Sequence, residues 1–419
     1  MKDIQTITLE QIVSLIMSIG GKAFFVGGCV RDKILDRPCH DHDILVVGLS
    51  ADEFMSLFPW AAKTGNSFPV FRMDVIVNGV LERSVEFALA RKERKSGTGH
   101  NGFEVMFDKS VTLEDDLFRR DTTMNAIAAD ITTGELIDPF GGAKDIRDNV
   151  IRAVSKHFKD DPIRALRAAR QAAQFGFSIE PHTIAIMEGM LDEILDEPKE
   201  RVFGEFKKAL AAPRPSIFFR ELKKAGLLSV FPEVAALVGK TQPAKFHPEG
   251  DAFEHSMLVM DAVASETDDL LVRFCALAHD FGKGETPAEM LPRHFDHDKR
   301  GADICQHLPS VVLKKWRQAA EVVCAEHMRT PRMKKPAHIV GLAERLHKTR
   351  TPFGALALVC FADTAGFREE RPWWFDESIL HDIATTKAAI SPEMSVDEIH
   401  ETVRKARLAR FVELRKELA

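Results

Sequence analysis

A chain of 419 residues carrying a net charge of −6, with 45% hydrophobic and 29% charged residues, has the composition of a globular protein with room for two to four domains. The charge excludes a uniformly basic nucleic-acid binder, so any phosphate-binding surface must be a local patch. No apolar run approaches the ~18 residues that span a bilayer, which excludes a membrane-spanning helix. The six cysteines form no Cys-x-x-Cys pair and are expected as reduced thiols in a cytosolic protein. Tyrosine is absent beside 29 phenylalanines, and we have no physical account of this.

The N-terminal MKDIQTITLEQIVSLIMSIGG is interrupted by Asp3, Glu10 and Gln11 and predicts an amphipathic helix rather than a signal peptide. FFVGG, DILVVG, FPVFRMDVIV, SVEFALAR and GELIDPFGG then predict strands, being rich in β-branched and aromatic residues with glycine punctuation. From about residue 151 the pattern changes. DPIRALRAARQAAQF, TIAIMEGMLDEILDE, RVFGEFKKALAA and IFFRELKKAGLL place apolar residues at helical spacing. The outline is an α/β head followed by a long all-helical remainder.

Within FFVGGCVRDKILDRPCHDHDILVVG, residues 24–48, a hydrophobic run breaks at Gly27-Gly28 and Arg31 follows. Asp41 and Asp43 lead into the next hydrophobic run. On a strand both aspartates project to one side. Two like charges so placed repel, and a divalent cation resolves the conflict. Mg²⁺ takes oxygen ligands from one or two carboxylates plus substrate phosphates, and paired ions stabilise both the attacking and the leaving oxygen. Glycines at 27 and 28 would let a triphosphate approach the backbone, and the Arg31 fork could grip it. Alone, Asp-x-Asp also describes a solvated strand end; the combination favours nucleotide chemistry.

LEDDLFRRDTTMNAIA, residues 113–128, sets Arg119, Arg120 and Asp121 beside apolar residues. It is either an intra-helix salt-bridge set or a second phosphate grip with a carboxylate near the metal. In KDDPIRALRAAR, residues 159–170, Asp161 is an N-cap candidate with Pro162 at the first helical position. Arg164, Arg167 and Arg170 share one side of that helix. They form a solvated basic stripe or, with Asp161, a hydrogen-bonding edge for a base.

Further along come HPEGDAFEHSMLVMD, LAHDFGKGETP and RHFDHD. His255, adjacent His279-Asp280 and the later Asp363 could meet in a helical bundle, and histidine with carboxylate suits a divalent transition metal. His294, His297 and His327 are either outer contacts of this set or packed core histidines. KKWR at 314–317, RTPRMKK at 329–335 and the tail RKARLARFVELRKELA are solvated faces or nucleic-acid phosphate contacts.

Together these blocks resemble the class II tRNA nucleotidyltransferases, the CCA-adding enzymes, and their poly(A) polymerase relatives. GGCVRD…DHD looks like the family's metal and triphosphate motif, and RRDTTMNAIA like its RRD-x-T-x-N-A motif, with Thr122, Thr123 and Met124 as mild variations. IDPFGG resembles the short motif after it. DDPIRALRAAR resembles the E-D-x-x-R helix, with Asp160 in place of the usual Glu. ERVFGEFKKAL resembles the later E-R motif, and EFALARKERKSGTGHNGF the bacterial loop after the metal strand. H…HD…D resembles the HD phosphohydrolase superfamily, especially the HD-containing CCA enzymes of the enterobacterial type. The resemblance covers roughly residues 22–365.

It implies an α/β nucleotidyltransferase head, a small mixed sheet with helices, followed by a long all-α neck and body and an all-α HD domain. The expected boundaries are 1–150 for the head, 151–250 for the neck and body, 251–365 for the HD domain and 366–419 for a helical tail. By the same resemblance, Asp41 and Asp43 are catalytic and hold Mg²⁺, and Gly28, Arg31 and Arg120 contact the bound nucleotide. Asp161 and Arg164 pair with the base of CTP or ATP, supported by Arg167 and Arg170. The implied reaction adds C, C and A to tRNA, one pocket serving both nucleotides because side chains choose the base. His255, His279, Asp280 and Asp363 hold a divalent metal (Ni²⁺, Mn²⁺ or Mg²⁺) for 2′,3′-cyclic phosphodiesterase, 2′-nucleotidase and phosphatase action. The expected partners are tRNA, CTP and ATP, in a cytoplasmic monomer or homodimer without membrane attachment. The alternatives are a poly(A) polymerase and a catalytically degenerate RNA-binding module.

Overall fold

Alternation builds the head. In the Val70–Val77 strand, Phe71, Met73, Val75 and Val77 are buried while the residues between them are not, as the two-residue period of a strand requires. Asn78 and Gly79, both at positive φ, turn the chain directly into the antiparallel Val80–Leu89 strand. This is the Asn-Gly signal of a two-residue hairpin. The computed structural model to which these strands belong describes residues 7–39, 42–64, 70–95, 103–106, 108–364 and 366–418. Its contacts divide the chain into two units, Met1–Val202 with Arg220–Leu227, and Phe203–Phe219 with Leu228–Ala419.

The first unit holds a mixed sheet whose strands run in the order Ile7–Thr8, Val70–Val77, Val80–Leu89, Asp43–Val47, Lys22–Val26, Ala128–Asp130 and Leu136–Ile137; Ala62–Thr64 pairs with Val70–Val77. Asp43–Val47 is central. It runs parallel to Val80–Leu89, with Asp43 opposite Glu86, and antiparallel to Lys22–Val26. One face packs on Ile12 and Ile16 of the Leu9–Ser18 helix and on Phe54 and Phe58. The mixed-sheet head is the expected one. The expectation missed the paired strands Lys92–Lys95 and Phe103–Met106, because KERK lacks the apolar alternation. Among the described residues the predicted N-terminal helix spans Leu9–Ser18, after a short strand at Ile7–Thr8; residues 1–6 of the prediction lie outside the described residues. TIAIMEGMLDEILDE forms two helices, Pro181–Glu188 and Leu191–Leu195, separated at Gly189, where the lack of a side chain weakens a helix.

The second unit is helical throughout. Leu271–Ala278 are all buried in the Leu270–Ala278 helix, so this helix is enclosed on every side. Its Arg273, 2% exposed, donates to the carbonyls of Leu210, Ala212, Ala264 and Thr267 and to Asp268. A buried guanidinium thus satisfies helix-end carbonyls that would otherwise lack donors. The tail helix Val396–Glu417 is tied down by Arg407–Glu344 and Arg410–Asp382 ion pairs. Cys29, Cys275, Cys305, Cys324 and Cys360 are buried free thiols, and Cys39 is half-buried. No helix among the described residues is long and apolar enough to cross a membrane.

Candidate functional site

The head site forms where the Lys22–Val26 strand ends. Gly27 has φ 72° and ψ −128°, a conformation open to glycine. A Cβ there would lie 3.0 Å from Arg120 Nη1 and 3.8 Å from Asp43 Oδ2. The missing side chain therefore lets a guanidinium and a carboxylate converge on one spot. Asp43 opens the central strand; Asp41 lies outside the described residues. A cavity of about 490 Å³ is lined by Asp43, His42, Arg72, Glu82, Arg83 and Glu86 among others. Glu86, in register with Asp43, carried no signal in sequence because SVEFALAR reads only as a strand. Beneath the turn, Cys29 Sγ donates to Val26 O at 3.2 Å. Burial pushes its thiol up to about 11, so it stays protonated.

The expected nucleotide-binding residues fall into linked hydrogen-bond networks. Gly28 begins a short helix. Arg31 sets its fork on Asp32 (2.8 and 3.0 Å), donates to Asn125 Oδ1 (2.8 Å) and stacks on Phe175. Arg120 donates to Asp116 Oδ2 at 3.1 Å, and Arg119 holds Oδ1 at 2.7 Å. Asp116 is fully buried. Burial alone would raise its carboxyl, but Arg119 and Arg120 hold it below its ordinary value. The RRD segment is thus partly the local salt-bridge set, but Asp121 reaches further. It accepts from Asn125 Nδ2 (3.0 Å) and Thr122 N (2.8 Å), and Arg167 Nε lies 3.0 Å away. Against the burial cost, Arg167 and Asn125 hold its carboxyl well below the usual range.

Arg164, Arg167 and Arg170 do not form a solvated stripe. Arg164 is buried and donates to His157 O at 2.6 Å, Arg167 faces Asp121, and Arg170 donates to Gln174. The helix runs Ile163–Phe175, with Pro162 in the capping position, one residue later than expected. Asp161 still accepts from Ile163 N at 3.2 Å. Both oxygens of its carboxylate accept from Arg201 Nη2 (3.0 and 2.9 Å), and Arg201 Nη1 donates to Glu197 at 2.5 Å. Sequence reasoning assigned Arg201 no role. Its only signal was its place in ERVFGEFKKAL.

In the second unit, His255 stands in the first turn of the Ala252–Ala264 helix, His279 caps the Leu270–Ala278 helix and Asp363 ends the Phe353–Asp363 helix. The fold brings these three and Asp280 together. His255 Nε2 is 3.0 Å from Asp363 Oδ1 and 3.6 Å from Asp280 Oδ2, and His279 Nε2 is 3.2 Å from Asp280 Oδ2. His297 and His327 join them on the other oxygen, at 3.4 and 3.6 Å from Asp280 Oδ1. His294 stands apart, hydrogen-bonded to Thr286 and Thr241 O. Burial and the Lys283 charge hold both His294, at about 4, and His297 below the ordinary histidine value, so both are neutral near pH 7. Asp363 is held low against burial by the His255 hydrogen bond and the His279 and His327 rings.

Two supporting groups had no assignment from sequence. Glu249 accepts from His255 Nδ1 at 2.7 Å and from His247 Nδ1 at 3.0 Å. A carboxylate behind a ligating imidazole fixes its orientation and basicity. Lys283 Nζ lies 2.5 Å from Asp280 Oδ2 and donates to Gln242 Oε1 at 2.6 Å. Imidazoles and carboxylates, buried and converging, are a donor set for a transition-metal ion.

Comparison with known proteins places the same segments in families. Residues 23–152 match the poly A polymerase head domain, residues 176–237 the probable RNA and SrmB-binding site of polymerase A, and residues 252–349 the HD domain. The multifunctional CCA protein of Stenotrophomonas maltophilia strain K279a is 43% identical over 363 residues, covering 82% of this chain and 86% of its own. That of Xanthomonas oryzae pv. oryzae strain MAFF 311018 is 39% identical over 420 residues, covering 94% and 99%. The crystal structure of the Bacillus stearothermophilus CCA-adding enzyme in complex with CTP shares the fold, with a TM-score of 0.60 at 22% identity over 97% of this chain and 98% of its own.

Proposed function

The chain belongs to the multifunctional CCA protein family, and from that premise we propose that it adds C, C and A to the 3′ end of tRNA from CTP and ATP without a nucleic-acid template. The tRNA 3′ oxygen forms a bond to the α-phosphorus as the bond to the β-phosphate oxygen breaks, and pyrophosphate leaves. Asp41 and Asp43 would hold Mg²⁺, which when bound neutralises the triphosphate. The observation that carries this reading is the convergence of Asp43 and Arg120 across Gly27, one group for a cation and one for a phosphate. Gly28 and Arg31 border the same turn. Asp161 and Arg164 would present the base-reading edge, held in place by Arg201 and His157 O, with Arg167 and Arg170 behind them.

The second unit would hydrolyse phosphate esters at RNA ends, as a 2′,3′-cyclic phosphodiesterase, 2′-nucleotidase and phosphatase. His255, His279, Asp280 and Asp363 would hold its divalent cation. Supporting this, His279 Nε2 and Asp280 Oδ1 are buried without a hydrogen-bond partner, a cost that a bound cation removes. We assign residues 1–150 to the head, 151–250 to the neck and body, 251–365 to the HD domain and 366–419 to the tail, and place the enzyme in the cytoplasm.

The test is the product ladder on tRNA lacking its last three nucleotides. Two CMP additions followed by a single AMP are expected. Open-ended AMP addition would make the chain a poly(A) polymerase, and no addition would leave an RNA-binding module.

A further inference from the structure

The basic run RTPRMKK, residues 329–335, surrounds the start of a helix. Thr330–Arg332 make a short 3₁₀ turn, and Pro336–Thr349 is the helix that follows. Met333 is buried and anchors the segment, while Arg332, Lys334 and Lys335 on either side of it are exposed. Lys335 occupies the N-cap position, no side chain caps the helix, and its first turn holds no acidic residue. A helix N-terminus carries about half a positive charge and favours anions there, not cations. Arg329 is paired with Glu326 at 3.6 Å, but among the described residues Arg332, Lys334 and Lys335 have no carboxylate partner. Three cations at the positive end of a helix, with no acid to balance them, lack an anion.

These three cations line a cavity of about 620 Å³ together with Phe295 and His297. The volume falls within the range of about 300–1,000 Å³ for small-ligand sites, enough for a nucleotide. Two carboxylates, Asp296 and Asp298, also line it, and Asp296 is taken by Lys299 at 2.7 Å. Phe295 is 56% exposed, yet its backbone is fastened. Its carbonyl accepts from Arg300 Nη1 at 2.6 Å, and the rest of that guanidinium donates to Gly282 O and Thr286 Oγ1, both at 3.1 Å. The preceding His294 is bonded to Thr286 and to Thr241 O. An apolar ring held in water on an ordered backbone has lost conformational freedom without gaining burial. His297 connects this cavity to the proposed hydrolytic site. Its ring is buried, its Nε2 has no hydrogen-bond partner, and Asp280 Oδ1 lies 3.4 Å away.

We propose that this cavity is a subsite for the RNA strand that leads to the ester being hydrolysed. Arg332, Lys334 and Lys335 hold the phosphodiester groups of the nucleotides just upstream, and Phe295 stacks on one of their bases. The proposal rests on the reading of the second unit as a phosphohydrolase. A cationic groove with an aromatic platform binds single strands with little regard to sequence, because every base has a face to stack. An acidic peptide would satisfy the cations but leave the ring uncovered. The preferred substrate is therefore a single-stranded polynucleotide end rather than a free mononucleotide.

The test compares two substrates on the full, metal-loaded chain: 2′,3′-cyclic AMP, and the trinucleotide CpCpA ending in a 2′,3′-cyclic phosphate. In the wild type the trinucleotide should have a KM at least ~10-fold lower. Its log KM should rise with log salt by about 0.7 for each phosphate held, a measurement that needs no variant. Phe295→Ala should raise the trinucleotide KM roughly 5- to 100-fold, the span of one base-stacking contact, and Phe295→Trp should restore it. Arg332→Gln and the double variant Lys334→Gln/Lys335→Gln should each flatten the salt slope. In all of them the loss should fall on KM rather than kcat. Equal KM values for the two substrates in the wild type overturn the subsite while hydrolysis stands. So does a ratio that Phe295→Ala and Arg332→Gln leave unchanged. Inhibition by a short polyglutamate as strong as that by CpCpA with a free 3′ end would give the cavity to an acidic polypeptide and also overturn it. Failure of the wild type to open either cyclic phosphate overturns the phosphohydrolase reading itself.

Discussion

Gly282 is where the second site depends most directly on an absent side chain. It follows Asp280 by two residues and faces Gly301 of the His297–His307 helix; there the two segments meet backbone to backbone. In Gly282→Ala the new methyl carbon would stand 2.0 Å from His297 O and 2.4 Å from Gly301 N, where ordinary contact begins at 3.4 Å. The neighbours are backbone and cannot rotate away, so the segments must part by roughly 1.4 Å in a close-packed interior. Metal-to-ligand distances tolerate only about 0.2 Å, so His297 leaves the reach it shares with Asp280. Overpacking of this kind costs about 1–3 kcal/mol, a fall of roughly 2–12 °C in the melting temperature of a unit this size. The assay compares calorimetry, cyclic-phosphate hydrolysis and CCA addition in the full chain. Hydrolysis should fall at least ~10-fold, as when metal-site geometry is disturbed, while addition is retained. Gly341→Ala is the control. Gly341 lies in the exposed middle of the Pro336–Thr349 helix with nothing near its Cβ position, so alanine should stabilise by about 0.5–1 kcal/mol. Wild-type melting and wild-type hydrolysis in Gly282→Ala would refute the steric reasoning.

Arg201→Ala removes both hydrogen bonds to the Asp161 carboxylate and leaves Glu197, 5% exposed, without this partner. Charge-assisted bonds contribute about 1.5–3 kcal/mol, so discrimination of CTP and ATP against GTP and UTP should fall about 10- to 100-fold in kcat/KM. Arg201→Lys should recover little, since an ammonium lacks the bidentate fork; unchanged discrimination in both variants would separate Arg201 from base selection. The third prediction concerns acid. The Asp121 carboxyl is held below its unfolded value of about 3.9, so its contribution is fully present above that pH. It is lost as pH falls through the folded value. Thermal melts of the first unit should therefore decline below about pH 4 in the wild type and be flatter in Asp121→Asn, at a cost near neutrality of about 1.5–3 kcal/mol. Parallel profiles for the two proteins would count against it.

What was legible in the sequence is what local chemistry determines. β-Branched and aromatic content with glycine punctuation located Val70–Val77 and the central Asp43–Val47 strand. The spacing of GGCVRD, RRD and DDPIR marked the nucleotide site across head and neck, and His255, His279-Asp280 and Asp363 marked a second cluster. What stayed hidden are partners that only the fold selects. Arg201 meets Asp161 across forty positions of chain, and Glu249 stands behind His255 although the two are in different elements. The three arginines of 164–170 share a helical side, yet each has a different partner. Periodicity says which way a side chain points and nothing about what waits there. His297 and His327 were ambiguous for the same reason: a histidine's role depends on which nitrogen a neighbouring carbonyl engages, and those carbonyls lie one helical turn back, where no residue type records them.

The chain treats its buried carboxylates in two ways, and the difference separates scaffold from chemistry. Asp116 is met at each oxygen by an arginine, and Asp121 by Arg167, Asn125 and the Thr122 amide. Removing one partner would strand a charge in the interior at a cost of several kcal/mol, so these networks are permanent and lock the RRD segment against the neighbouring helix. Asp280 is equally buried, but it is ringed by four imidazole Nε2 atoms, three of them without a hydrogen bond. Lys283 supplies a donor to Oδ2 alone. Oδ1 and the Nε2 atoms of His279, His297 and His327 have no such partner, which leaves the site incomplete until a cation arrives. That arrangement lowers the stability of the metal-free fold and raises its affinity for metal, a trade that a purely structural carboxylate has no reason to make.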